Sequence, residues 1–124
     1  MQLEDTNIMP TIVLANLFRD PASWETLAWE PFRDGIEAAW LYQSENGGPA
    51  AALLRYQPGA SAPAHRHVGW EHIIVLAGSQ QDHLARYEAG SFVANPPGSE
   101  HSVLSPEGCV ALLIWEKTPQ FLGG

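Results

Sequence analysis

The chain has 124 residues, enough for one domain and too few for a second of ordinary size. Apolar residues make up 45% of it, which excludes a disordered chain. Six basic residues against fourteen acidic ones give a net charge of −8, a field that repels phosphate backbones and anionic lipid and so speaks against nucleic acid and membrane as partners.

The N-terminus, Met1 to Asp5, is acidic and polar, without the basic start and apolar stretch of a secretory signal. The longest apolar runs, Ile73 to Ala77 and Leu112 to Trp115, fall far short of the roughly 20 residues that span a bilayer. A cytoplasmic location is the expectation. Residues 1–28 read as a short irregular arm that packs on the rest of the chain or on a dimer partner. Asn16 to Pro21 forms a turn within it. Ser23 is a candidate cap for a turn of helix, which Trp24, Trp29 and Pro31 keep short.

From Ile36 the pattern becomes β. Ile36, Ala38, Trp40 and Tyr42 alternate as one face of a strand. Glu45 to Pro49 signals a turn and Ala50 to Tyr56 the returning strand. After a turn at Pro58-Gly59, short strands are expected around His65–His67, Glu71–Leu76 (ended by Gly78), Gly90–Ala94, His101–Leu104 and Val110–Glu116. Short strands spaced by roughly ten residues and punctuated by Gly and Pro indicate an all-β sandwich or barrel. Residues 29–118 make that barrel, and residues 119–124 a tail. Cys109 is the lone cysteine, so no internal disulfide is possible; it fits a reducing compartment and is expected to pack in the core.

Three of the five histidines and one glutamate form a chemically sensible set. His65 and His67 are two apart, which on a strand puts both on one face. Val68-Gly69-Trp70 is a plausible tight turn that lets Glu71 open the next strand beside them. His101 follows Pro96-Pro97-Gly98 and can return by antiparallel pairing. Three imidazole nitrogens and one carboxylate suit a divalent transition metal such as Fe, Mn, Ni, Zn or Co, and suit Ca or Mg poorly. Four ligands need not saturate an octahedral ion, although a tetrahedral zinc held by all four would be closed.

Ile73 and Val75 share the face of Glu71 and are expected to wall the pocket with Phe92 and Val103. Arg55 either points inward, where it would meet a substrate carboxylate or enolate, or points out to solvent. His72 alternates away from Glu71, and His83 reads as a solvated loop histidine. An uncovered sheet edge and the tryptophan-bearing arm from Trp24 to Phe32 favour a homodimer.

The spacing also carries a resemblance. Gly59 is followed by five residues, His65, one residue, His67, three residues, Glu71, six residues, and Gly78. Gly90 is followed by five residues, Pro96, one residue, Gly98, two residues, and His101. These blocks resemble the two sequence motifs of the cupin superfamily, with Ser105 where an asparagine is usual. From Trp29 to about Trp115 the chain is similar to the cupin module of ChrR-type anti-sigma factors and their stand-alone relatives. The matching stretches are Leu54 to Ala60, Glu71 to Gly78, Tyr87 to His101 and Ser105 to Cys109.

The resemblance implies a double-stranded β-helix, or jelly-roll barrel, whose interior is lined by His65, His67, Glu71 and His101. It implies zinc if the chain follows the anti-sigma members, and iron if it follows stand-alone dioxygenases that cleave small diketones or hydroxylated aromatic ketones. Three functions are therefore expected as alternatives: a metal-dependent, dioxygenase-like enzyme on a small organic molecule; a non-catalytic zinc-binding sensor; and, least favoured, an anti-sigma regulator.

Overall fold

A computed structural model describes residues 8–122. The first seven residues of the expected arm and the last two of the expected tail lie outside the described residues. A single-turn 3-10 helix, Pro21–Thr26, precedes ten strands: β1 (Glu30–Arg33), β2 (Ile36–Gln43), β3 (Ala50–Tyr56), β4 (Ala60–Arg66), β5 (Glu71–Gln81), β6 (Arg86–Glu88), β7 (Phe92–Asn95), β8 (Glu100–Ser105), β9 (Cys109–Trp115) and β10 (Gln120–Phe121). They pair antiparallel in the order β1-β2-β3-β9-β5-β8-β4-β10, with β6 and β7 also on β5. β5 pairs with β9 over Glu71–Gly78 and with β7 over Glu71–Ile74, then with β6 and β8 at its far end, so it passes from one sheet to the other. This curls the sheet into the expected jelly-roll barrel.

The sheet is apolar on both faces. Ile36, Ala38, Leu54, Tyr56, Ile73, Val75, Val103, Leu113 and Trp115 fill the interior. Leu53, Ala39, Val110 and Leu112 face outward and are covered by Leu17, Trp24, Leu27 and Trp29. The arm therefore closes the outer face of the barrel. Its 3-10 turn is capped by Asp20, which accepts from Ala22 N at 3.0 Å, while Ser23 Oγ donates to the Asp20 carbonyl. The indoles of Trp24 and Trp29 donate to the carbonyls of Leu17 and Trp24, each at 2.8 Å, which lets two partly buried polar N–H groups rest against an apolar sheet.

Several boundaries differ from those the sequence pattern predicts. β5 continues past Gly78 to Gln81, because Gly78 adopts φ +72° inside the strand rather than ending it. A bulge between Trp40 and Tyr42 breaks the alternation of β2, and Tyr42 is left exposed while Trp40 packs inward. β1, β6 and β10 are additional; β10 lies within the segment expected as a tail. Cys109 is buried in the interior, and burial pushes its thiol pKa up. Among the described residues no helix is long and apolar enough to cross a membrane.

Candidate metal centre

His65 sits on β4 directly opposite His101 on β8, so the register alone brings these two side chains together. A bulge on β4 between Ala62 and His65 resets the strand before the first histidine. His67 lies just past β4, where its backbone N–H donates to Ser99 and its carbonyl accepts from Gly98, at 2.8 and 2.7 Å. The Pro96 to Ser99 turn thus pins His67 beside the pair. Glu71 opens β5 between Asn95 of β7 and Trp115 of β9, its two cross-strand neighbours.

The four side chains converge. Their nearest nitrogen and oxygen atoms all lie within 4.8 Å of one another, and all four residues are buried. Each histidine uses Nδ1 for a hydrogen bond that fixes its tautomer. His65 Nδ1 lies 2.8 Å from the Pro63 carbonyl and His101 Nδ1 lies 3.0 Å from Asp82 Oδ2, and both of those oxygens can only accept. His67 Nδ1 lies 2.9 Å from Ser99 Oγ, whose own proton goes to the Pro96 carbonyl at 2.7 Å. All three rings therefore carry the proton on Nδ1 and turn the Nε2 lone pair inward.

Those lone pairs have nowhere else to go. Nε2 of His67 and of His101 are buried with no hydrogen-bond partner among the described residues, a costly state in a folded interior. His67 Nε2 approaches Glu71 Oε1 to 3.0 Å and His101 Nε2 approaches it to 3.8 Å, without hydrogen bonds. Ligand atoms about 2.1 Å from a shared ion and at right angles stand about 3.0 Å apart. The residues thus fit a divalent transition metal and could hold one.

The carboxylate is prepared in the same way. Asn95 Nδ2 donates to Glu71 Oε1 at 3.0 Å and the Trp115 indole donates to Oε2 at 2.7 Å. Burial pushes the Glu71 pKa up, but the close approach of His67, the neighbouring His101 ring and the Trp115 bond outweigh it and hold it below the usual value. Burial lowers the pKa of His65. Both shifts favour the metal-binding protonation states, an anionic carboxylate and a neutral imidazole.

Of the residues expected to wall the pocket, Ile73 and Val103 line the small cavity beside the cluster. Val75 is fully buried in the same interior core but does not line that cavity. Arg55 and Phe92 do not belong to it. Arg55 faces outward, pairs with Glu37 at 2.9 Å and with Glu25 at 3.4 Å, and lies 4.1 Å over the Trp29 ring. It alternates with Leu54 and Tyr56, which take the inner face. Phe92 pairs with Ile74 on the outer side, is 61% exposed, and lies 5.5 Å from the outward ring of His72. His83 sits in an exposed loop.

Asp82, Asn95, Ser99 and Trp115 position the four central residues, and the sequence pattern does not mark them for that role. Asn95 and Ser99 flank the Pro-Pro-Gly turn, and their polar side chains beside it are the one signal that points to them. Asp82 carries no such signal, because its approach to His101 depends on β5 running past Gly78. The Asp82 side chain is 2% exposed and also accepts from Leu84 N, Ala85 N and Tyr87 Oη. Asp82→Asn keeps that turn and removes the charge behind His101. It is expected to weaken metal affinity about tenfold, measured by competition with a chromophoric chelator. Unchanged affinity would show that Asp82 does not tune the site.

The barrel and its buried cluster of three histidines and one glutamate define the class: this is a cupin. Residues 20–118 match the family described as the ChrR Cupin-like domain, and the chain belongs to that family. It is 33% identical over 100 residues to the anti-sigma-E factor ChrR of Cereibacter sphaeroides, covering 78% of this chain and 46% of the relative. It is also similar to a crystal structure of Rhodobacter sphaeroides SigE in complex with the anti-sigma ChrR (TM-score 0.65, 28% identity, 73% of this chain and 49% of that chain). An acetylacetone dioxygenase from Acinetobacter johnsonii shares the fold at 18% identity (TM-score 0.71, 77% of this chain and 72% of that one). The chain spans about half the length of the ChrR relative it matches.

Proposed function

We propose that this chain is a metal-dependent, dioxygenase-like enzyme acting on a small organic molecule such as a diketone or hydroxylated ketone. The observation that carries the reading is the convergence of three Nδ1-protonated histidines and one carboxylate on a buried point with a cavity beside it. That cavity holds about 30 Å³, room for roughly two water molecules. Space next to the ligands is what a catalytic site keeps and a closed structural site lacks. A bound divalent ion would supply Lewis acidity toward a substrate oxygen and, if it were iron, redox chemistry toward dioxygen.

The chain's own residues shape the rest. Leu54, Ile73, Val103 and Leu113 keep the cavity apolar and exclude bulk water. Tyr56 and Gln80 are polar side chains that reach it beside His65, Glu71 and His101. Burial pushes the Tyr56 pKa far up, so the phenol stays protonated and can donate a hydrogen bond to a substrate oxygen.

A second reading, a non-catalytic zinc-binding sensor or regulatory module, is supported by the similarity to an anti-sigma factor. We further propose a cytoplasmic homodimer. The lone cysteine supports the location. The exposed side chains Ile8, Met9, Val13 and Phe18 on the arm support a second copy as the partner. One experiment separates the enzyme from the sensor. The metal is quantified in protein purified without added metal or a chelating tag, and oxygen uptake is followed with 2,4-pentanedione and hydroxylated ketones. Stoichiometric iron with substrate-dependent uptake is expected; zinc without uptake after iron reconstitution would favour the sensor.

A further inference from the structure

A second, larger cavity adjoins the metal centre. It holds about 280 Å³ and is walled by Phe32, Trp40, Trp115 and Phe121, with Thr118 and Gln43 among its polar lining residues. Phe32, Trp115, Pro119 and Phe121 wall both this chamber and the small cavity at the histidines, so the two spaces share one partition. The chamber is slightly below the usual range for drug-sized ligands, roughly 300–1,000 Å³, and suits a molecule of about ten non-hydrogen atoms.

Arg33 is the charged residue of its lining. Its guanidinium carbon lies 3.8 Å from the centre of the Phe121 ring and 5.9 Å from that of Phe32. Arg55, Arg66 and Arg86 are each paired with a glutamate, whereas no carboxylate pairs with Arg33 among the described residues. In a chain of net charge −8, Arg33 is exposed and has no paired carboxylate, so beside an aromatic chamber its guanidinium is a demand for an anion that water otherwise meets. Phe121 connects this demand to the metal centre. It pairs with His65 in the β4–β10 ladder, its ring lies 5.3 Å from that of His65, and the same ring lies under the Arg33 guanidinium.

We propose that this chamber binds a small planar organic monoanion, a carboxylate or an enolate. The negative group pairs with Arg33, the apolar body lies against Phe32 and Trp40, and Phe121 stands between the ligand and the histidines. The inference names the substrate class of the proposed enzyme and rests on that reading for the fate of the ligand, but not for its binding.

The test uses benzoate as probe and benzamide as its neutral counterpart. Both are titrated calorimetrically into the full chain, before and after treatment with a chelator, and the metal content is measured in parallel. Benzoate is expected to bind both forms, and Arg33→Gln to weaken it at least about tenfold, as the loss of a charge-assisted hydrogen-bond pair does. Benzamide should bind wild type and variant alike, Arg33→Lys should retain most of the affinity, and the melting temperature should confirm that both variants fold. Benzoate binding equally well to Arg33→Gln, or failing to bind wild type at millimolar concentration, overturns the proposal. Loss of benzoate in Arg33→Gln, in a protein that takes up no metal, would sink the metal-dependent reading and leave the chamber standing. Stoichiometric metal with equal benzoate binding in wild type and variant would do the reverse.

Discussion

Replacing His101 by alanine is expected to abolish stoichiometric metal binding while leaving the barrel folded. The ring is one of three that aim a lone pair at the buried point, and its Nε2 has no hydrogen-bond partner among the described residues. Its Nδ1 partner, Asp82, survives the change, because Leu84 N, Ala85 N and Tyr87 Oη still donate to it. The opposite face of the site is untouched, since Asn95 and Trp115 continue to hold Glu71. Wild type in metal at about 100 times its dissociation constant should gain about 2.7 kcal/mol of stability. For a domain of this size that is a rise in melting temperature of about 10 °C. His101→Ala should show no metal-dependent rise, and metal analysis of the purified variant should find far less than one ion per chain. His65→Ala should behave alike, because His65 is the cross-strand partner of His101. A variant that keeps one ion per chain would remove these residues from the ligand set.

Gly78→Ala is expected to be among the most damaging single substitutions in the barrel. Gly78 has φ +72°, a region that alanine occupies only under strain. A Cβ there would lie 2.0 Å from the Gly108 carbonyl oxygen and 2.9 Å from Cys109 Cα, and both neighbours are backbone. Neither can rotate away. The carbonyl is also engaged, since it accepts from Ser79 N. Relief requires separating β5 from the start of β9, where β5 passes between sheets. The cost should be about 3–5 kcal/mol, much of the stability of a small domain. Urea unfolding should show a large fall in midpoint, or expression should yield aggregate. Gly90→Ala is the control: it also has positive φ, but nothing lies within 4 Å of its added Cβ, so only the backbone strain of about 1 kcal/mol applies. Equal losses at the two glycines would show that the close approach is not what Gly78 serves.

The central cluster is legible in the sequence because its spacing carries it. Two histidines two residues apart, a glutamate after a tight turn and a histidine after Pro-Pro-Gly have few ways to meet other than on paired strands. The walls are less legible. Arg55 follows Leu53 and Leu54, and apolar residues on both faces of β3 erase the alternation that would orient it. The arm is the physical reason: by covering the outer face, it lets that face be as apolar as the inner one. Phe92 falls on the unexpected face for a related reason. The Gly90-Ser91 turn leaves the register of β7 open by one residue, and one residue swaps faces. β10 is unreadable from sequence, since two residues after a proline show no period.

β10 contributes two register pairs, Gln120 with Arg66 and Phe121 with His65, while β3 and β9 share seven. Its opening is therefore a sub-global event, with a free energy far below that of unfolding the barrel. Amide hydrogen exchange should reveal this as fast exchange at Phe121 against slow exchange along β3, β5 and β9. Since Phe121 lines both the chamber and the cavity at the histidines, passage between the two spaces is expected to follow this local equilibrium and not the cooperative stability of the fold. Core substitutions that raise the melting temperature should then leave ligand entry rates nearly unchanged, and changes at Pro119 or Phe121 should alter entry with little effect on melting. Thermal robustness and access to the buried cluster are thus separately adjustable in this chain.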